Sequence, residues 1–317
     1  MARDNPDAVR TKKLERTRAA LTVAGLDPSG GAGITADLRG FRAAGVWGAS
    51  VCAVLTVQST KGLAEAHAVP AEVVRASAVQ CLVDLDVRAM KSGALGSEAN
   101  VRAVAELFAE CKQIPSVVDP VMAPSRAIAA GARLDGSASN DAVWALVRAA
   151  TLVTPNADEA SALLGRTIRT EEEARAAAED LVRAGARAVL LKGGHVESGA
   201  LAIDWLATPR GVTPIARKRR VSPPLHGTGC ALSSLIAGRL AATSTGPVSA
   251  SPAKASVRRA LAASKKAPAP VVTDEALLAA IVWARSALDR ALRAPLVIGG
   301  GARVLDLRPR VTLEPPR

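Results

Sequence analysis

The densest chemistry in the chain is His226-Gly227-Thr228-Gly229-Cys230, followed at once by a helical run from Ala231 to Ala242. Two glycines let a backbone turn aim its N–H groups at one point. A helix N-terminus adds unpaired donors and partial positive charge. Gly227, Thr228 and Gly229 would together make an anion site suited to a transferring phosphoryl group. Cys230 falls in the first helical turn, where a thiolate is favoured. Its pKa is expected to fall, so that it serves as a base toward a substrate hydroxyl. Taken locally, a glycine turn capping an ordinary helix, with cysteine as packing, accounts for these residues equally well.

Gly25-Leu26-Asp27-Pro28-Ser29-Gly30-Gly31-Ala32-Gly33 is the second candidate, a loop between a strand and a helix. Its glycine density permits close backbone approach to a ligand. It lacks the Gly-Lys-Ser/Thr ending of a Walker A loop and does not fit the dinucleotide fingerprint. In Thr154-Pro155-Asn156-Ala157-Asp158-Glu159, Asn156 and Glu159 lie on one face of a starting helix. They are hard oxygen ligands for Mg²⁺ through water, although helix capping by Asn156 alone explains them better. Lys192, ending a strand before Gly193 and Gly194, would reach ATP phosphates, and a plain turn is the equal alternative. Asp119, before Pro120-Val121-Met122, would serve Mg²⁺ or substrate, or cap a turn. His67 and His195 show no ligand spacing.

The elements that must position these residues alternate. Ala20–Gly25, Ala49–Val57, Ser116–Asp119, Leu152–Thr154 and Ala188–Lys192 read as buried strands. Ile34–Ala44, Ala71–Leu82, Glu98–Cys111, Asn140–Ala150, Thr170–Ala184 and Leu277–Leu292 read as helices. Such alternation implies a mainly parallel sheet with helices on both faces. Ligands of these sheets bind outside the carboxyl ends of the strands, and each cluster above follows a strand.

Composition narrows the function. The chain has 317 residues, 49% of them hydrophobic, enough for one large α/β domain. Aromatics are 2% with no Tyr, which argues against stacking on nucleic-acid bases. The net charge of +12 is concentrated in a basic tail over residues 1–18, in Arg217-Lys218-Arg219-Arg220, and around Arg258 to Lys266. Solvated tails and loops explain most of it, but the 217–220 run precedes the phosphate motif and suits ATP. Cys52, Cys81 and Cys111 read as small buried hydrophobes, and no disulfide or metal pattern appears, so a cytoplasmic setting is expected. No segment has the length and apolarity to span a bilayer, and the N-terminus lacks an apolar signal core. A domain over residues 19–300 is expected, with a flexible insertion at 243–274 and a loosely held tail from 301 to 317.

Taken in order, DPSGGAG, VQST, DPVM, TPNADEA, LKGGH and HGTGC resemble hydroxymethylpyrimidine/phosphomethylpyrimidine kinase of the ribokinase-like superfamily, over about residues 20–242. The resemblance implies a three-layer α/β/α sandwich with a mainly parallel central sheet. It implies two successive ATP- and Mg²⁺-dependent phosphorylations, first of the alcohol of 4-amino-5-hydroxymethyl-2-methylpyrimidine and then of its monophosphate, for thiamin synthesis. It implies a homodimer, with no nucleic-acid or membrane partner. By position, Gly227 to Cys230 match the anion hole and catalytic residue, and Gln58 the residue reading the pyrimidine's amino and ring nitrogens. Gly25, Asp27, Ala32, Ala94 and Val121 fall on the substrate side, Lys192, Asn156 and Glu159 on the ATP side, and Asp119 with Glu159 at the metal.

Three departures stand out. Residues 123–130, with Arg126, replace the family's Lys-Ser-Gly lid. Ala94 stands where a bulkier Met is common, and residues 243–317 diverge. A pyridoxal-type kinase and a non-catalytic ligand-binding homologue are the alternatives.

Overall fold

Neighbouring residues along the strands face opposite ways, and both faces are apolar. Leu21, Met90, Val118, Val153 and Leu191 enter one hydrophobic core, while Ala20, Ala89, Val117, Leu152 and Leu190 enter another. A strand with period-two side chains and two buried faces needs a helical layer on each side. The computed structural model describes residues 16–121, 138–195, 201–219, 225–244 and 272–308. Most of the basic N-terminal tail, Met122, the 123–130 segment with Arg126, Arg220, most of the 243–274 insertion and residues 309–317 lie outside the described residues.

In chain order the elements are β1 (Arg18–Leu26), α1 (Gly33–Ala43), β2 (Trp47–Ser59), β3 (Gly62–Ala68), α2 (Ala71–Asp84), β4 (Asp86–Ser92) and α3 (Glu98–Glu110). They continue with β5 (Ser116–Val118), α4 (Asn140–Ala149), β6 (Leu152–Val153), α5 (Ala157–Leu164), α6 (Glu171–Arg183) and β7 (Val189–Leu191). The last are β8 (Leu201–Thr208), β9 (Gly211–Lys218), β10 (Leu225–His226), α7 (Thr228–Thr243), α8 (Asp274–Ala291) and β11 (Arg303–Val304). Among the described residues a nine-stranded sheet runs β3-β2-β1-β4-β5-β6-β7-β8-β9. Its middle strands β2, β1, β4, β5, β6 and β7 are parallel, while β3, β8 and β9 pair antiparallel at the two edges. Helices α2 to α6 cover one face, and α1, α7 and α8 the other. The architecture is the expected α/β/α sandwich.

Four strands of the nine-stranded sheet, β3, β4, β8 and β9, were not anticipated, nor was the β10–β11 pair. The apolar run of β4 is broken by Asp86, Arg88 and Lys91. The structure tolerates them because Arg88 pairs with Asp86 at 2.6 Å and Lys91 with Asp37 at 2.9 Å. Edge strand β9 is largely exposed, β3 is exposed only toward its end, and neither carries a continuous apolar signal. The chain after 300 also departs from expectation. Ala302, Val304, Leu305 and Leu307 are buried, and β11 pairs in parallel with β10, so this segment packs against the domain rather than lying loose. Cys111 is buried as expected, whereas Cys52 and Cys81 are half-buried.

Candidate active site

Two glycine loops meet at the carboxyl ends of the central strands. Gly33 opens α1 with φ 57°, and a Cβ there would lie 2.2 Å from the Gly25 carbonyl oxygen. Gly227 caps α7 with φ 80°, and a Cβ there would lie 2.1 Å from the Gly31 carbonyl oxygen. Neither position tolerates a side chain, so the loop after β1 and the turn before α7 are pressed backbone to backbone. The N-termini of α1 and α7 therefore converge. Cys230 sits where they meet, and its Sγ accepts a hydrogen bond from the Gly33 backbone N–H.

Behind Cys230 lies a buried ion pair. The Lys91 ammonium and the Asp37 carboxylate are both fully buried at 2.9 Å, and Thr22 Oγ1 donates to the same Asp37 oxygen at 2.7 Å. Lys91 is held above its ordinary value; burial pulls it down, and Asp37, Cys230 and Asp119 outweigh that. The Cys230 thiol is pushed up to about 11, chiefly by burial, with the Lys91 charge pulling the other way. This corrects the expected fall. The helix terminus and Lys91 favour the thiolate, but the desolvation they must offset is larger.

Asp119 follows β5 and faces the first turn of α7. A Cβ on Gly229 would sit 3.0 Å from Asp119 Oδ2 and 3.5 Å from Lys192 Nζ. Lys192 Nζ lies 3.0 Å from Asp119 Oδ1 and 3.7 Å from Glu159 Oε2, so one lysine is shared by two carboxylates. Burial pushes the Glu159 carboxyl up to about 7, with Lys192 opposing and Asp119 adding to the rise. Asn156 and Glu159 form a capping box at α5: each side chain accepts the other's backbone N–H at 2.8 Å. The capping explanation for this pair thus holds structurally, and it fixes the Glu159 carboxylate beside Lys192. Arg219 Nη1 donates to the Gly194 carbonyl at 3.3 Å, which brings part of the basic run to the loop after Lys192. Two carboxylates against one ammonium leave an excess of negative charge that a hard dication would relieve. Among the described residues no cluster of three ligating side chains would hold a metal on its own.

The residues expected to read a substrate ring gather around Asp27. Gln58, near the end of β2, has its amide nitrogen 3.0 Å from His226 Nε2, which lies 2.9 Å from Asp27 Oδ2. Asp27 is buried and accepts from Ser29 N at 2.9 Å, Ser29 Oγ at 3.0 Å and Ala32 N at 2.8 Å. Burial alone would raise its pKa, but the hydrogen bonds from His226 and Ser29 hold it below the usual carboxylate value. Gly25 is buried, and a Cβ there would lie 3.6 Å from the Ala94 methyl. Val121 is half-buried, with its N–H donated to the Asp119 carbonyl at 2.8 Å.

A family profile described as phosphomethylpyrimidine kinase matches residues 27–274. The chain belongs to the phosphomethylpyrimidine kinase family. A hydroxymethylpyrimidine/phosphomethylpyrimidine kinase of Rhizobium meliloti strain 1021 is 40% identical over 230 residues, covering 71% of this chain and 83% of that one. The crystal structure of phosphomethylpyrimidine kinase from Clostridium difficile 630 superposes with a TM-score of 0.59 at 29% identity, covering 78% and 96% of the two chains. An ADP complex of Bacillus subtilis pyridoxal kinase shares the fold, with a TM-score of 0.72 at 24% identity, covering 91% and 96%. As a member of a kinase family, the protein uses ATP as a substrate.

Sequence reasoning about this phosphomethylpyrimidine kinase family member missed three features of the site. Lys91 and Asp37 went unnoticed, although Asp37 carries a signal. It falls on the apolar stripe of α1 between Ile34 and Phe41, where a charge needs a partner. His226 was read only as part of a glycine motif. The segment around β11 gave no signal at all, yet Ala302 N donates to Thr60 O at 2.8 Å, two residues beyond Gln58.

Proposed function

We propose that this protein transfers the γ-phosphoryl group of ATP to the alcohol of 4-amino-5-hydroxymethyl-2-methylpyrimidine and then phosphorylates the monophosphate to the diphosphate, in thiamin synthesis. One observation carries the reading. Cys230, at the meeting point of two helix N-termini, feels the charge of Asp119, which pairs with Lys192, and follows by four residues His226, which lies against Asp27 and Gln58. One glycine turn thus carries both the phosphoryl site and a residue of the polar ring-reading group.

Phosphoryl transfer asks mainly for positioning and charge stabilisation. The backbone N–H groups of Gly227 to Cys230 provide the second, since they point from a helix N-terminus toward the place where phosphate charge accumulates. Lys192 balances charge on the nucleotide side, and Asp119 and Glu159 would hold Mg²⁺ through water. That ion, when bound with ATP, supplies charge neutralisation to the phosphates. Cys230 takes the hydroxyl proton as its thiolate. With the thiol near 11, about one molecule in 10⁴ carries that thiolate at pH 7. Lys91 and Gly33 N–H keep it within reach. Gln58 and Asp27 hold the ring so that the hydroxyl meets the phosphorus in line.

A homodimer is the proposed working form, since exposed Leu55 and Val57 on β2 are apolar surface that a second copy would cover. No described helix is long and apolar enough to cross a membrane. The small Ala94 beside Gly25 leaves room for a bulkier ring, which is the case for pyridoxal. ADP release with Mg-ATP decides between them, run with hydroxymethylpyrimidine, its monophosphate and pyridoxal in parallel. Both pyrimidines should turn over. Turnover of pyridoxal alone would replace this reading, and pyrimidine binding without turnover would leave a non-catalytic binder.

A further inference from the structure

Gln58 presents a contradiction of donors. Its amide nitrogen lies 3.0 Å from His226 Nε2, and that same nitrogen lies 2.9 Å from Asp27 Oδ2. Asp27 already accepts from Ser29 N, Ser29 Oγ and Ala32 N, and its pKa sits below the usual carboxylate value. A carboxylate so surrounded is ionised and can only accept. His226 Nε2 must therefore bring a hydrogen, as it does in both the neutral Nε2–H form and the imidazolium. An –NH2 group facing that N–H is a repulsive contact. Amide oxygen and nitrogen have nearly the same shape, so their placement follows the hydrogen-bond partners. Turning the Gln58 amide over puts Oε1 against His226 Nε2–H, which then forms a bifurcated hydrogen bond to Asp27 Oδ2 and Gln58 Oε1 in place of a donor–donor contact.

We propose that His226 is a specificity-positioning residue: its single Nε2–H, shared between Asp27 Oδ2 and the Gln58 amide oxygen, orients the amide and leaves the Gln58 –NH2 to donate to a ring nitrogen of the substrate. The inference rests on the pyrimidine reading above and extends it to a residue outside the substrate's own contacts. The second lone pair of Oε1 remains for an exocyclic N–H beside that ring nitrogen. The recognised group is thus an aromatic nitrogen flanked by an amine, read by one amide with a single permitted orientation.

The imidazole is well placed to impose that orientation because it cannot swing. A Cβ on Gly31 would lie 2.6 Å from His226 Cδ2, so the ring is packed against the Gly31 backbone. His226 also pairs with Val304 across β10 and β11. The same C-terminal segment reaches Thr60, just beyond Gln58, through the Ala302 N–H. Both ends of the His226–Gln58 contact are braced by one strand.

Two readouts test the assignment. The chain has three His, so ¹⁵N-histidine spectra of the full-length protein assign His226 by its loss in His226→Leu. The expected state carries a hydrogen on Nε2. A neutral Nδ1–H form would make Nε2 an acceptor for the –NH2 and would overturn the inference, whatever the turnover. The second readout compares KM for hydroxymethylpyrimidine with KM for its analogue bearing C–H in place of the ring nitrogen beside the amine. The unsubstituted protein should disfavour the analogue about tenfold. In His226→Leu the parent KM should rise about tenfold with kcat within about threefold, and the discrimination should collapse to about twofold. His226→Gln, which returns a donor near Nε2, should restore it. Intact discrimination in His226→Leu, or a fall in kcat at constant KM, would reduce His226 to a support for the phosphate turn and refute the proposal. Failure of the kinase reading shows separately, as no ADP from the unsubstituted protein with the parent pyrimidine.

Discussion

Lys91→Met removes the ammonium that faces Asp37 while keeping an unbranched side chain of similar length. Both partners are 0% exposed and 2.9 Å apart. After the substitution Asp37 keeps the Thr22 hydroxyl at 2.7 Å, and its Oδ1 has no partner even in the intact pair. Stripping one member from a buried pair costs about 3–5 kcal/mol, a large share of the roughly 5–15 kcal/mol that holds a domain together. The carboxyl can escape part of this by taking up a proton. Burial raises the Asp37 pKa above 3.8, with Lys91 pulling against it, so losing Lys91 raises it further. A group whose folded pKa lies above its unfolded one stabilises fully below the unfolded value and loses that contribution as pH rises through the folded one. The deficit of Lys91→Met should therefore be greatest at pH 8 and shrink toward pH 5. Urea unfolding at both pH values reads it directly. Adding Asp37→Leu removes the orphaned carboxylate and should recover at least half of the loss. A deficit under about 1 kcal/mol, one equal at both pH values, or a double variant no better than the single would refute the reasoning.

The remaining predictions concern the site. Cys230→Ala should abolish turnover while pyrimidine binding, followed by calorimetry, stays within a few-fold; unchanged turnover would end the assigned role. With the thiol near 11, kcat should climb with pH between 7 and 9, by close to tenfold per unit where proton transfer limits the rate, and a flat profile would contradict the thiolate base. Gln58→Ala should raise the pyrimidine KM about tenfold, or 1.4 kcal/mol, with a smaller effect on kcat; an unaffected KM would remove Gln58 from the site. Gly227→Ala, forced to φ 80° and against the Gly31 carbonyl, should cost about 1–3 kcal/mol of stability and most of the activity, measured by thermal unfolding and ADP release.

What the sequence made legible follows from what is local. The helices that became α3, α4 and α6 were read to within a residue or two because a capping side chain and first-turn acids agree with the periodicity there, as with Thr170 capping α6 ahead of Glu171, Glu172 and Glu173, whereas α1, without such a cap, was read from its spacing and its closing glycine. The glycine loops were legible as a ligand site because glycine density reports close backbone approach. That they would approach each other, at Gly227–Gly31, was not, since this contact joins residues nearly 200 positions apart in the chain. The same limit hid β4. Its Lys91 looks like a break in an apolar strand until Asp37, on a helix far earlier in the chain, supplies the counter-charge. The Cys230 pKa was misjudged for a related reason. Position at a helix N-terminus is visible in sequence, whereas the burial that outweighs it appears only when α1, β4 and α7 are assembled. His226 acquires its role only through Asp27, in the loop after β1, and Gln58, near the end of β2.

The most direct test of the central claim is the identity of the product. Purified protein, Mg-ATP and 4-amino-5-hydroxymethyl-2-methylpyrimidine should give, by ³¹P NMR, first a phosphomonoester and then a diphosphate on the pyrimidine methylene, with two equivalents of ADP. ATP left intact, or a phosphoryl group appearing only on pyridoxal when both alcohols are offered, would contradict the account.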